Sequence, residues 1–218
     1  MPKPRGLQLR AHVMTRAIQR FLHQLVRLRL FHVLALNRDF IPKQGAAIIA
    51  CNHVSLADPV VVWGSLPRSA VAVAMKELWR TPLVLLMWTL GHIPVDRSSR
   101  ASGARVRTKM LDVLNSGGLL LIFPEGKCSK DGQLLPLKPG TADISLETNA
   151  PIVPAGLAGT NDVWPLGRRR INRRRHIVVV YGRPLLPSDY SSSQEMRAAL
   201  AGSIRELTAQ AVDELNGM

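Results

Sequence analysis

The stretch Cys51-Asn52-His53-Val54-Ser55-Leu56-Ala57-Asp58-Pro59 sets an imidazole and a carboxylate five residues apart, directly after the apolar run Ala46–Ala50. On one continuous helix, five residues amount to a rotation of about 140°, which would keep the two side chains apart. They meet if His53 lies in a loop and Asp58 sits in the first turn of the next helix, folded back. The helix dipole favours an acid at that position. A carboxylate on one ring nitrogen fixes the tautomer and raises the basicity of the other nitrogen. His53 is then a candidate general base for an alcohol or an amine. Taken alone, the pair is a weak signal and reads more readily as a turn histidine beside a helix-capping aspartate.

Other chemistries lack their signatures. The sequence has no G-x-S-x-G elbow, which argues against a serine esterase of the common kind. Gly126-Lys127-Cys128 lacks the upstream glycine and the hydroxyl residue of a phosphate-binding P-loop. The six histidines show no HExxH or paired ligand spacing, so no metal is expected. No dinucleotide-type G-x-G-x-x-G is present either. With no nucleophile motif beside it, His53 would act directly on the acceptor substrate. Cys128 raises the idea of a covalent thioester step, but the sequence identifies no basic partner for its thiol.

The elements that would position this pair alternate along the chain. Ala46–Ala50, Val71–Met75, Ile93–Val95, Leu119–Phe123, Ile152–Leu157 and His176–Tyr181 read as strands. Asp58–Ser65, Thr81–Leu90, Ser102–Asn115 and Thr141–Thr148 read as helices between them. Gly117-Gly118 stands where a helix C-terminus expects glycine. Ser192-x-x-Glu195 resembles a capping box that opens a final helix with Met196, Leu200, Ile204, Leu207 and Ala211 on one face. The alternation predicts an α/β fold with a largely parallel central sheet flanked by helices. Loops at strand C-termini are where such sheets place their sites, and Asn52-His53 follows a strand.

Charge adds a surface to this frame. The 218 residues carry 29 Lys and Arg against 15 Asp and Glu, a formal net charge of +14. An excess of this size favours a polyanionic partner. Over residues 8–35, Met14, Ile18, Phe21, Leu25 and Leu28 recur at helical spacing with arginines between them. This reads as a basic amphipathic helix in a membrane interface, or as a helix packed on the domain with a solvated basic face. We divide the chain into a membrane-associating segment at 1–40 and an α/β domain at 41–218. Arg168-Arg169-Arg170-Ile171-Asn172-Arg173-Arg174-Arg175 reads as a loop facing lipid phosphates or as a solvated loop. No nucleic acid is expected, because no reading motif or interleaved aromatic platform accompanies it. No run of 18 apolar residues occurs, so no membrane-spanning helix is predicted. Two separated cysteines fit a reducing, cytosolic setting.

His53 and Asp58 are followed in order by Gly91-His92-Ile93-Pro94-Val95-Asp96-Arg97, by Phe123-Pro124-Glu125-Gly126-Lys127-Cys128-Ser129 and by Pro151-Ile152-Val153-Pro154. This ordered set resembles the plsC-type glycerolipid acyltransferase family, typified by 1-acyl-sn-glycerol-3-phosphate acyltransferase, over about residues 45–185. Lys76-Glu77-Leu78 and Lys138-Pro139-Gly140 are similar to two further elements of that family. The resemblance implies transfer of a fatty chain from an acyl thioester, on coenzyme A or acyl carrier protein, to a lysophospholipid hydroxyl, with no cofactor. It implies that His53 is the base and that Asp58 orients it. Arg97 would hold the acceptor phosphate, with Lys76 and Lys127 adding charge. Glu125, Gly126 and Ser129 would shape the acceptor pocket, and Asn52 and Ser55 would line the substrate site. The implied setting is peripheral, on an anionic surface at the cytoplasmic face of the cell membrane. One departure stands out: Lys127-Cys128 replaces the family's Thr-Arg, and lysine is a point charge without the planar guanidinium fork.

Overall fold

Seven strands line up in one sheet in a computed structural model that describes residues 32–75, 92–96, 100–164, 172 and 175–218. In chain order the elements are β1 (His32–Leu36), β2 (Ala47–Cys51), α1 (Asp58–Ser65), β3 (Ala70–Met75), β4 (Ile93–Val95) and α2 (Arg100–Asn115). They continue as β5 (Leu119–Ile122), α3 (Gly140–Thr148), β6 (Ile152–Ala158), a four-residue helix α4 (Thr160–Val163), β7 (His176–Tyr181) and α5 (Ser193–Asn216). The sheet order is β1-β7-β6-β2-β5-β3-β4. Every neighbouring pair is parallel except β6 with β7. The sheet is therefore largely parallel with helices on both faces, as the alternation predicts.

The centre of the sheet follows from composition. β2 (AIIAC) and β5 (LLLI) hold no polar side chain, and every residue of both is buried. Strands covered on both faces have no solvent side to make polar, so they lose the alternation of an amphipathic strand. Alternate residues still go to opposite faces. Ile49, Cys51, Leu119 and Leu121 join Val61, Val62, Trp63 and Leu66 of the α1 region in one core. Ile48, Ala50, Leu120 and Ile122 join Met110 and Leu114 of α2, Ile144 of α3, and Met196, Leu200 and Ile204 of α5 in the other.

The last helix begins at Ser192, whose side chain accepts the Glu195 N–H at 3.2 Å. Glu195 reaches back to the Ser191 N–H at 2.9 Å, a capping box displaced by one residue. Gly156 lets this helix lie against β6. A Cβ at that position would fall 2.1 Å from the backbone of Leu207.

One sequence expectation fails. Residues 32–36 extend the helical pattern in the sequence, yet they form edge strand β1, paired in parallel with β7 from His32↔His176 to Leu36↔Val180. The amphipathic helix therefore does not reach residue 35. The rest of that helix, the Thr81–Leu90 helix, Lys76, Arg97 and most of the arginine-rich stretch lie outside the described residues. Among the described residues, no helix is long and apolar enough to cross a membrane.

Candidate active site

β2 and β5 are adjacent and parallel, with Ala50 opposite Ile122. The loops that leave their C-terminal ends are therefore neighbours. One carries His53 and the other carries Glu125 to Ser129. Cross-loop hydrogen bonds lock the two together. The His53 N–H donates to Glu125 Oε1 at 2.7 Å, and the Ser129 N–H donates to the His53 carbonyl at 2.7 Å.

Asp58 opens α1 and turns back into the loop. Its Oδ2 lies 2.8 Å from His53 Nδ1 and accepts the N–H groups of Val54 at 2.6 Å and Ser55 at 2.8 Å. The carboxylate is fully buried and His53 nearly so. The His53 ring also stacks on Phe123, with centroids 4.3 Å apart and planes at 28°. One nitrogen and one face of the imidazole are thus fixed. A carboxylate on Nδ1 holds the proton there and leaves Nε2 as the basic atom.

Nε2 itself meets Cys128, whose Sγ lies 3.0 Å away. The sequence reading left this residue without a base. No local pattern could have joined two residues 75 positions apart; the pairing of β2 with β5 brings them together. Cys128 is partly accessible, whereas Cys51 is buried. Burial pushes the Cys51 thiol well up, and the Asp58 and Glu125 carboxylates add to the rise.

The remaining candidates divide by what they touch. Asn52 faces Leu157 of β6, donating to its carbonyl at 3.0 Å and accepting its N–H at 2.8 Å. Ser55 donates to the Trp164 carbonyl at 2.7 Å and accepts from the Ala57 N–H at 3.1 Å. Both side chains are buried and engaged with backbone, so they brace the loop around His53. Glu125 is also buried, and its second oxygen accepts the Leu135 N–H at 2.9 Å. Burial raises its pKa above the ordinary carboxylate value, against the pull of its two N–H donors and His53. Gly126 has φ +72°, and Lys138 crosses the space where its Cβ would be, with Nζ 2.5 Å from that point. Ser129 donates to Asp131 at 2.8 Å, and Lys127 is exposed. The geometry brings together His53, Asp58, Glu125, Cys128 and Ser129.

Comparison with known proteins identifies the family. The acyltransferase family model matches residues 32–158. A 1-acyl-sn-glycerol-3-phosphate acyltransferase of Cocos nucifera is 35% identical over 150 residues, which is 68% of this chain and 48% of that protein. One from Limnanthes douglasii is 37% identical over 147 residues, 66% of this chain and 52% of that protein. One from Borreliella burgdorferi is 30% identical over 133 residues, 61% of this chain and 53% of that protein. The chain spans about half the length of these curated relatives. Among solved structures, the crystal structure of the 1-acyl-sn-glycerophosphate (LPA) acyltransferase PlsC from Thermotoga maritima shares the fold. Its TM-score is 0.79 at 24% identity, with 99% of this chain and 85% of that chain covered.

Proposed function

Because the chain belongs to the plsC-type glycerolipid acyltransferase family, we propose that it transfers a fatty acyl chain from an acyl thioester to the hydroxyl of a lysophospholipid. The acceptor we assign is 1-acylglycerol-3-phosphate, and the product is phosphatidic acid. The donor is acyl-CoA or acyl carrier protein. The observation that carries this reading is the buried His53–Asp58 pair at the C-terminal end of a central strand. An alcohol is a weak nucleophile until its proton is removed. An imidazole oriented by a carboxylate is placed to remove it.

In this reading His53 Nε2 takes the hydroxyl proton and Asp58 keeps Nδ1 protonated and the ring aligned. Glu125 holds the backbone of His53, so its place is behind the reacting atoms. Asn52 and Ser55 position the loop by the contacts given above. Arg97, Lys76 and Lys127 supply cations for the acceptor phosphate, the first two by motif match alone. The enzyme works as a peripheral protein on the anionic cytoplasmic face of the cell membrane, where its acceptor and product both reside.

The test is a panel of lysolipid acceptors, each offered with oleoyl-CoA or oleoyl-acyl carrier protein, with products read by mass spectrometry. Phosphatidic acid formed from lysophosphatidic acid, and lost in His53→Ala, is the expected result. A second acceptor reading is favoured by Lys127-Cys128 standing where the resembled motif has Thr-Arg. Product from another lysolipid in preference to lysophosphatidic acid would select it. No acyl product from any acceptor would leave a binding protein in place of an enzyme.

A further inference from the structure

We propose that Cys128 is the acyl-carrying nucleophile of this site, so that the fatty chain passes through an acyl-Cys128 thioester on its way to the acceptor. The inference rests on the acyl-transfer reading above and adds a covalent step to it. Its ground is the position of one atom. Direct general-base attack needs His53 Nε2 within hydrogen-bond reach of the acceptor hydroxyl. In this structure the Cys128 sulfur holds that place at 3.0 Å. Nucleophile, base and orienting acid then form one line: Cys128 Sγ, the two ring nitrogens of His53, and Asp58 Oδ2 at 2.8 Å. This is the arrangement by which a histidine draws the proton from a thiol and leaves the more nucleophilic sulfur anion.

The line is built into the backbone. Ser129, next to Cys128, donates its N–H to the His53 carbonyl, and Glu125, three residues before Cys128, accepts the His53 N–H. Phe123 on the ring face prevents the imidazole from turning away. Cys128 is partly accessible, so a donor thioester can reach it, while Cys51 is sealed in the core.

The reaction balances without any redox partner. In the first half, Cys128 passes its thiol proton to His53 Nε2 and its sulfur attacks the acyl carbonyl of the donor. The carbonyl-to-sulfur bond of the donor breaks, and the departing thiolate takes the proton from His53. One thioester replaces another, so this half is close to thermoneutral. In the second half, His53 takes the acceptor hydroxyl proton and the acceptor oxygen attacks the acyl-Cys128 carbonyl. The bond to Cys128 breaks and its sulfur recovers the proton. The sum is a thioester and an alcohol giving an ester and a thiol.

Thiol exchange without any acceptor tests the step apart from the acceptor's identity. The full chain is incubated with oleoyl-CoA and isotopically labelled free CoA, and separately with oleoyl-acyl carrier protein and its labelled free thiol form. The expected result is label entering the acyl thioester with either donor, an oleoyl mass increment on the peptide containing Cys128, and loss of both in Cys128→Ala. Exchange that persists in Cys128→Ala overturns the assignment. Acceptor-dependent product without exchange from either donor also overturns it and leaves the acyltransferase reading standing. Exchange without product from any lysolipid supports Cys128 and removes the lysolipid reading. Absence of both exchange and product overturns the two together.

Discussion

Asp58 Oδ2 lies 2.8 Å from His53 Nδ1 while the same oxygen accepts the N–H groups of Val54 and Ser55. The acid therefore shapes the loop and orients the ring with one atom.

Asp58→Asn separates these two duties. An amide oxygen can still accept the two N–H groups, but it cannot stabilise a charged imidazole or hold its tautomer as a carboxylate does. Turnover is expected to fall by at least about a hundredfold, while liposome binding stays as it was. The measurement is thiol release from oleoyl-CoA in the presence of lysophosphatidic acid. Near-normal turnover in a folded Asp58→Asn protein would remove the pair from the mechanism.

For Arg97→Ala, KM for the phosphorylated acceptor is expected to rise about tenfold, the size of one charge-assisted hydrogen bond, with KM for the donor little changed. Initial rates with each substrate varied in turn would show this. A shift confined to the donor would mean that Arg97 serves the other substrate.

His92 predicts a dependence of stability on pH. Its Nδ1 accepts the Ala72 N–H at 3.1 Å, and its ring meets Trp63 edge-on. Burial lowers its pKa from 6.5 to about 4. The folded state thus holds fewer protons here than the unfolded chain does. The stability this group contributes is complete above about 6.5 and is lost as pH falls toward about 4. The loss amounts to about 3 kcal/mol. His92→Gln keeps an acceptor for Ala72 but does not titrate, so its denaturation midpoint should fall less over that range. Parallel pH profiles for the two proteins would contradict the assignment.

Two glycine-to-alanine changes should act in opposite directions. At Gly156 the new methyl would lie 2.1 Å from the Leu207 carbonyl carbon and 2.3 Å from the Thr208 nitrogen, both backbone atoms that cannot turn aside. A loss of about 2 kcal/mol or more is expected. At Gly202, on the helix that carries Leu207 and Thr208, nothing lies within 4 Å. There, alanine should stabilise by about 0.5–1 kcal/mol through helix propensity. Urea denaturation of both variants checks the contrast.

Local patterns carried most of the frame. Fully apolar β2 and β5, the glycines after α2 and the serine before α5 mark their own elements because neighbours in sequence determine them. His53 with Asp58 was legible for the same reason: a loop and a helix start lie within one short segment. β1 was not. The stretch His-Val-Leu-Ala-Leu has no helix-breaking residue before it, and its strand form comes from pairing with β7, more than 140 residues away. Cys128 was hidden in the same way, since its partner belongs to the neighbouring strand's loop. Asn52 and Ser55 were placed near the site by motif, but only coordinates show their side chains bound to Leu157 and Trp164.

The reversed direction of β7 has a consequence for how the molecule meets a surface. β7 runs against β6, and β1 runs with β7, so both start at the edge of the sheet where β2 and β5 finish. Their first residues, His32 and His176, stack there with ring centroids 5.0 Å apart. His32 and His176 therefore stand at the same end of the sheet as the loop that carries His53. A flat surface approaching that end would meet both exposed histidines and the His53 loop on one side of the sheet.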